Sequence, residues 1–328
     1  MQALNFIVMI LFLNEGDEIM SYKNQQYDRV ERLIANKIIF NSDIGGGAFR
    51  GKSSAYILQN NQNNLYMDSS ESICNYFYKN KIAWWGGKLT NHTLSSQVSC
   101  LNHLFPIRED KDTVLSIVKK ICPEVIDVLL MTSDKYMPAY IQFEAVSDVD
   151  HLNEKYSTRG SNCTSIDALI YGVHKDGRKI LFPIEWKYEE VYGNENKANG
   201  DKGTVRKERY TNLIHHSNQL KGDFKDIYYY EPFYQLMRQT LWAEQMIEKK
   251  NAETIKADDY IHIHVIPTEN NELLNKTYPC SGKKMEATWR DCVIEQSKYI
   301  IISPKDLLSP VIENKYHDLF EYLEKRYW

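Results

Sequence analysis

The chain has 328 residues, a formal net charge of −4, and charged and apolar residues in ordinary globular proportion. That length can bury a large core, as one big domain or two. The acidic balance argues against a protein that coats nucleic acid nonspecifically, which would be basic throughout, but it allows a local basic cleft. Six cysteines (Cys74, Cys100, Cys122, Cys163, Cys280 and Cys292) form no C-x-x-C pair. They read as reduced thiols of a cytoplasmic protein rather than as a zinc site.

Phe6 to Leu13 is an apolar run too short to cross a bilayer, and it lacks the flanks of a secretory signal. Residues 1–19 are expected to be a non-native extension, with translation starting at Met20, or else a segment packed on the body; no membrane contact is expected. Residues 20–92 read as an accessory region. Helical spacing runs from Tyr27 to Ile39 through Val30, Leu33, Ile34 and Ile38. Gly45 to Gly47 is a loop. It is not a phosphate loop, because no Gly-Lys-Ser/Thr follows at the required spacing, although Gly51-Lys52-Ser53 invites that reading. A strand is expected at Ala55 to Leu58, a turn at Asn60 to Asn64, and a helix from Ser70 to Asn80, ended by Trp84-Trp85-Gly86-Gly87.

Ser95-Ser96-Gln97 suits a helix start, where short hydroxyl side chains accept from free backbone N–H groups. Val98, Leu101 and Leu104 continue that helix, and another spans Thr113 to Lys120. His92 and His103 have no tight metal-ligand spacing and read as structural. Ala139 to Ala145 is a strand carrying Glu144, and Arg159 to Ser165 is a polar loop. Gly193 to Gly203 has the composition of a mobile loop. Basic residues follow it, among them Lys202, Arg206, Lys207, Arg209 and Lys221, and they suit a nucleic-acid backbone. Pro232 to Lys249 is the clearest helix, and its Gln235, Arg238 and Gln239 share a neighbouring face. Tyr260 to Pro267 is a strand with Ile261, Ile263 and Val265 inward; its His262 and His264 lack a third ligand. A last helix runs from Asn314 to Tyr327.

The informative stretch is Ile166 to Glu190, which reads as two strands joined at Lys175-Asp176-Gly177. Strand alternation puts Glu185 and Lys187 on one face, with Ile184 and Trp186 on the other. A two-residue loop would set Asp167 opposite Trp186. A three-residue loop with Gly177 left-handed pairs His174 with Arg178 and sets Asp167 opposite Glu185. The second register is preferred. It places two carboxylates about 5 Å apart, where they repel unless a cation or a shared proton lies between them. A hard divalent ion is the natural occupant, with Lys187 beside it to neutralise charge on a phosphate.

An aspartate, a hairpin and Glu-x-Lys together resemble the active site of the PD-(D/E)xK nuclease superfamily. The residue before Asp167 is Ile166, not Pro. Glu-x-Lys alone is nearly uninformative, since Glu109, Glu195, Glu248 and Glu313 also begin one. More of the chain fits: His92-Thr-Leu-Ser-Ser-Gln97 with Cys100-Leu-Asn102, Glu185-Trp-Lys-Tyr188 with Glu190, and Gln235-Leu-Met-Arg-Gln-Thr240 are similar to a bacterial branch of restriction endonucleases. The resemblance implies an α/β fold with a restriction-endonuclease-like core (helix, three strands, helix, strand) over residues 93–328, and magnesium-dependent cleavage of DNA phosphodiesters. It implies Asp167 and Glu185 as ligands of Mg²⁺, for which Mn²⁺ can substitute, and Lys187 as the catalytic lysine. Glu144 is the candidate extra acid, with Gln235 and Glu190 as second-tier candidates. Arg206, Lys207, Arg209 and Arg238 are candidates for contacting DNA, expected to be double-stranded. Cutting both strands at one site usually takes two active sites, which is compatible with a homodimer. The other reading is a catalytically inactive nucleic-acid-binding protein on the same fold.

Overall fold

The computed structural model describes residues 20–155, 158–311 and 315–328, so the expectation for residues 1–19 lies outside it. A mixed seven-stranded sheet organises the molecule. Its main strands are β1 (Val125–Val128), β2 (Ile141–Ala145), β3 (Ile166–His174), β4 (Lys179–Trp186), β5 (His262–Val265) and β6 (Tyr299–Ile302). The two-residue strand Asp259–Tyr260 is the seventh. β1 and β2 both run antiparallel to β3, one beside each half of it. β3 and β4 form the antiparallel hairpin, and β4, β5 and β6 continue in parallel.

Helices cover both faces. On one side lie α1 (Tyr22–Ala35), α2 (Met67–Lys79), α3 (Ser96–Leu104) and α4 (Lys111–Ile121), which share a hydrophobic cluster with Ala168, Ile170, Phe182, Ile184 and Trp186. On the other side lie α5 (Gly200–His215), α6 (Phe233–Glu248) and α7 (Met285–Cys292), packed on Leu169, Tyr171, Leu181 and Tyr299. Successive residues of β3 thus point into opposite clusters, and the near-continuous apolar runs of β3 and β4 follow from burial on both faces. Pro183 sits inside β4 without an N–H to give. The neighbouring chain breaks its ladder beside it, between Tyr260 and His262.

Residues 20–92 share the first cluster with the sheet and with the C-terminal helix α8 (His317–Arg326). Asn102 of α3 ties these parts together. Its Oδ1 accepts from Tyr66 N–H at 2.7 Å, and its Nδ2 reaches Asn64 O at 3.0 Å and Tyr327 Oη at 2.9 Å.

Several expectations need correction. Ala55 to Leu58 is not a strand. Ile57 N–H closes a turn onto Ser54 O at 3.0 Å, and Ile57 makes only an isolated bridge to His92. The Gly193–Gly203 loop is shorter than its composition suggests. α5 begins at Gly200, and Lys197 N–H is anchored to Tyr229 O at 2.7 Å. α1 begins at Tyr22 because the Ser21 hydroxyl accepts from Asn24 N–H. β1 and β6 add to the expected core order. With β6 present, β5 is an interior strand, so His262 and His264 are as buried as Ile263 and Val265. Among the described residues, no helix is long and apolar enough to cross a membrane.

Candidate active site

The β3–β4 turn sets the geometry. His174 N–H donates to Arg178 O at 2.8 Å, Gly177 N–H donates to His174 O at 2.8 Å, and Gly177 has φ +88°. This is the three-residue loop with a left-handed glycine. The ladder runs from Val173↔Lys179 to Ala168↔Ile184, and one more step places Asp167 across from Glu185. Trp186 N–H donates to Asp167 Oδ2 at 2.7 Å. On the other edge of β3, Phe143 pairs with Ala168 and Ala145 with Ile166, so Glu144 lies across from Asp167. Glu144, Asp167 and Glu185 therefore form one row over three adjacent strands.

Glu144 has φ +48°, an uncommon conformation for a residue with a side chain. Such strain persists only where the surroundings over-determine it. Here Arg159 does so. Its Nε donates to Glu144 O at 3.1 Å, its Nη2 donates to Phe143 O, and its Nη1 donates to buried Asp134 at 2.6 Å. Arg159 is thus a half-buried support rather than part of a solvated loop. On the side-chain end, Gln97 Nε2 donates to Glu144 Oε1 at 2.5 Å.

Lys187 closes the row. Its Nζ donates to Glu185 Oε1 at 2.5 Å and to Gln235 Oε1 at 2.5 Å, and it lies 5.6 Å over the Tyr192 ring. Gln239, one turn along α6, donates from Nε2 to Glu185 Oε2, while its own Oε1 is buried without a partner among the described residues. Trp186 points to the opposite face, where its Nε1 donates to Ser99 Oγ at 3.1 Å.

Burial dominates the electrostatics. It pushes the Asp167 carboxyl well above the usual range; Glu185 and Glu144 push it further, against Lys187 and the Trp186 N–H. Burial raises Glu144 to about 7, opposed by the Gln97 bond and assisted by Glu185. Burial alone would discharge Lys187, but Glu185, Tyr192, Glu190 and Asp167 together hold its ammonium well above the normal value. A row of carboxylates in which Asp167 and Glu144 are both raised by burial and by their acidic neighbours is a set of hard oxygen donors with charge to spare, which is the chemistry a divalent cation relieves. As the side chains stand, Glu185 is engaged by Lys187 and Gln239. No group of three or more His, Cys, Asp and Glu converges on an ion-sized position among the described residues.

A cleft of about 580 Å³ opens over the row. Asp167, Glu185, Lys187, Glu144 and Gln235 all line it, with Glu190, Gln97, Gln239 and Tyr192. Arg238 also lines it, but its guanidinium is committed to Glu154 at 3.1 Å and Thr164 at 3.0 Å. Arg206, Lys207 and Arg209 lie on α5, outside the lining, and Arg206 Nη1 donates to Lys197 O at 2.8 Å. Among the lining residues that touch the row, Tyr192 is not singled out by the sequence, and Gln97 stands there only in a motif, without a role at the site. Gln97 stands in a helix start and Tyr192 in a loop, so only the tertiary fold brings them in.

The site is thus a row of acids on adjacent strands ending in a lysine, on a mixed α/β fold. Residues 29–328 match the family described as restriction endonuclease associating with ARP, and the chain belongs to that family over nearly its whole length. No curated protein and no solved structure matches it.

Proposed function

We propose that the chain is a metal-dependent endonuclease hydrolysing DNA phosphodiester bonds, with Asp167, Glu185 and Lys187 as its PD-(D/E)xK set and Glu144 as a further acid. The observation that carries this reading is the row Glu144–Asp167–Glu185 across three neighbouring strands, with Lys187 at its end on the floor of a cleft. Membership of a restriction-endonuclease family supports it. Asp167 and Glu185, with Glu144, would hold Mg²⁺, or Mn²⁺ in its place, and the ion supplies Lewis-acid stabilisation of the phosphoryl oxygens and a more acidic water.

The chain's own groups do the rest. Lys187 stays charged, so it serves as a donor to the oxygen on which charge builds rather than as a base. Without the ion, burial holds Glu144 at about 7; a bound cation would favour its charged form and so compete with protons for it. Gln235 and Gln239 fix the heads of Lys187 and Glu185, a geometric constraint that catalysis by positioning requires. Severing both strands of a duplex would call on two copies of the chain.

One observation favours a second reading. Both Glu185 oxygens are engaged within the protein, and Asp167 is capped by a backbone N–H. A nucleic-acid-binding protein that kept the fold without the chemistry would look like this. Incubation with supercoiled plasmid, phage and methylated DNA separates the two. The nuclease reading expects nicking with Mg²⁺ that EDTA and Lys187→Ala both abolish. DNA binding without nicking by the intact protein would favour the second reading.

A further inference from the structure

Part of the cleft lining is built from residues with no part in the acidic row. A short hairpin, Ala48–Phe49 with Lys52–Ser53, turns on Arg50 and Gly51, whose φ values are +50° and +78°. Two central residues at positive φ make the tight turn that suits a twisted hairpin. Glycine is at ease there and arginine is not, so an arginine in this conformation is strain that the fold retains. The turn sets the Arg50 guanidinium at the rim, 5.3 Å over the Phe49 ring and 5.0 Å over the Trp85 ring.

Trp85 is 58 % exposed, which for an indole at the mouth of a cleft is the informative kind of exposure. It is nonetheless anchored. The preceding Trp84 stacks on Phe77 with ring centroids 3.9 Å apart, and Trp85 N–H donates to Gln97 Oε1 at 3.2 Å. The other end of the same amide donates to Glu144. One glutamine therefore joins the rim to the acidic floor. Behind Phe49 the wall continues in His92, 4.9 Å from the Phe49 ring centroid and 5.5 Å from Tyr56. Burial, with Lys23 and Arg50 nearby, holds His92 down at about 4, so near neutrality it is an aromatic face and not a charge.

We propose that Trp85, Phe49 and Arg50 form a base-stacking clamp that takes an unstacked nucleobase of the strand whose phosphate lies over Glu144, Asp167 and Glu185. The proposal rests on the nuclease reading of that floor and narrows its substrate to nucleic acid with at least one base out of the stack: a single strand, a flap or a mismatch. The floor is acidic and repels a phosphate backbone until a cation intervenes, so the strand needs a hold elsewhere in the same cleft. Aromatic faces with a guanidinium over them supply one, because every base has a π-face and stacking is indifferent to sequence. In an intact duplex those faces are hidden.

The test is binding of fluorescein-labelled oligonucleotides to the full chain in EDTA, followed by anisotropy. The probes are a single strand in DNA and in RNA form, its fully paired duplex, and a duplex with one mismatch. The single strand and the mismatched duplex are expected to bind more tightly than the paired duplex. Trp85→Ala is expected to weaken them about tenfold or more, and Trp85→Phe much less. Arg50→Gly guards against a folding artefact. It relieves the positive-φ strain, so it should melt no lower than the parent while still weakening single-strand binding. If the parent binds nucleic acid but Trp85→Ala and Arg50→Gly bind equally well, or if the paired duplex is preferred, the clamp is overturned and the nuclease reading stands. If the parent binds none of the probes and nicks no plasmid, the nuclease reading falls and the clamp with it. Loss of the rim's effect on nucleic acid together with stable capture of a protein partner would assign the same aromatics to a protein interface and overturn the clamp.

Discussion

Asp167 stands across the β3–β4 hairpin from Glu185, and the length of the connecting loop decides it. With Gly177 left-handed, the loop has three residues and the two carboxylates share a face. One residue fewer in the loop would turn Asp167 toward the cluster that holds Trp186. The arrangement opposes stability, because burial and neighbouring acids raise the pKa of Asp167 and Glu144. Sites that keep such opposition commonly exchange stability for function.

Divalent cations should raise the melting temperature, and more so at pH 8 than at pH 6. Glu144 sits at about 7, so protons compete for the acids below that pH and not above it. At about 100 times its dissociation constant, a cation adds about 2.7 kcal/mol. Differential scanning fluorimetry with Mg²⁺ and Mn²⁺ reads this directly. An equal shift in Glu185→Ala would place the ion elsewhere.

Glu144→Gln should stabilise the fold in one pH window. The acid's pKa rises from 4.5 unfolded to about 7 folded, so the folded state binds more protons between these values. Stability of the parent therefore falls as pH rises from about 4.5 to about 7, then levels. The variant lacks that loss, and its advantage should grow to a few kcal/mol by pH 8. Urea melts at pH 4.5 and pH 8 measure it; an advantage already full at pH 4.5 would contradict the assignment.

Lys187→Ala should lose cleavage and stability together. Lys187 is 3 % exposed and its ammonium is paired with Glu185, which is 4 % exposed. Removing one partner of a buried pair costs about 3–5 kcal/mol. Asp167→Asn should instead lose cleavage while melting higher than the parent above neutral pH, because it deletes a carboxylate whose charge burial opposes. Opposite changes in melting temperature, alongside a shared loss of nicking, are the signature to look for.

Gly177→Val should cost about 1–2 kcal/mol, the penalty of a side chain in the left-handed region. Nothing lies within 4 Å of an added Cβ there, so the effect is conformational rather than steric crowding. Activity per folded molecule should be unchanged, since the turn lies far along the hairpin from Asp167. A larger loss of activity than of folded protein would show that the register slips.

The hairpin and its register are legible because each follows from local rules, strand alternation and turn chemistry, whereas Glu144 and Gln235 become candidates only through the family resemblance and are brought to the hairpin by the tertiary fold. The same rules miss β1 and β6. Val125–Val128 and Tyr299–Ile302 are four residues each, too short for periodicity to separate strand from other apolar runs. Missing β6 is also why only Ile261, Ile263 and Val265 read as inward, although His262 and His264 are buried too. Arg159 reads as a loop arginine, because its partners Tyr76 and Asp134 lie far off in the chain. The basic stretch after Asn199 folds as α5, beside the cleft lining rather than in it.

The most direct test of the acidic row is an anomalous difference map from crystals soaked in Mn²⁺. The account predicts a peak bonded to carboxylate oxygens of Asp167 and Glu185, with Lys187 Nζ released from Glu185 Oε1. Crystals that keep the Lys187–Glu185 pair and show manganese nowhere near Asp167, at concentrations that support nicking, would contradict it.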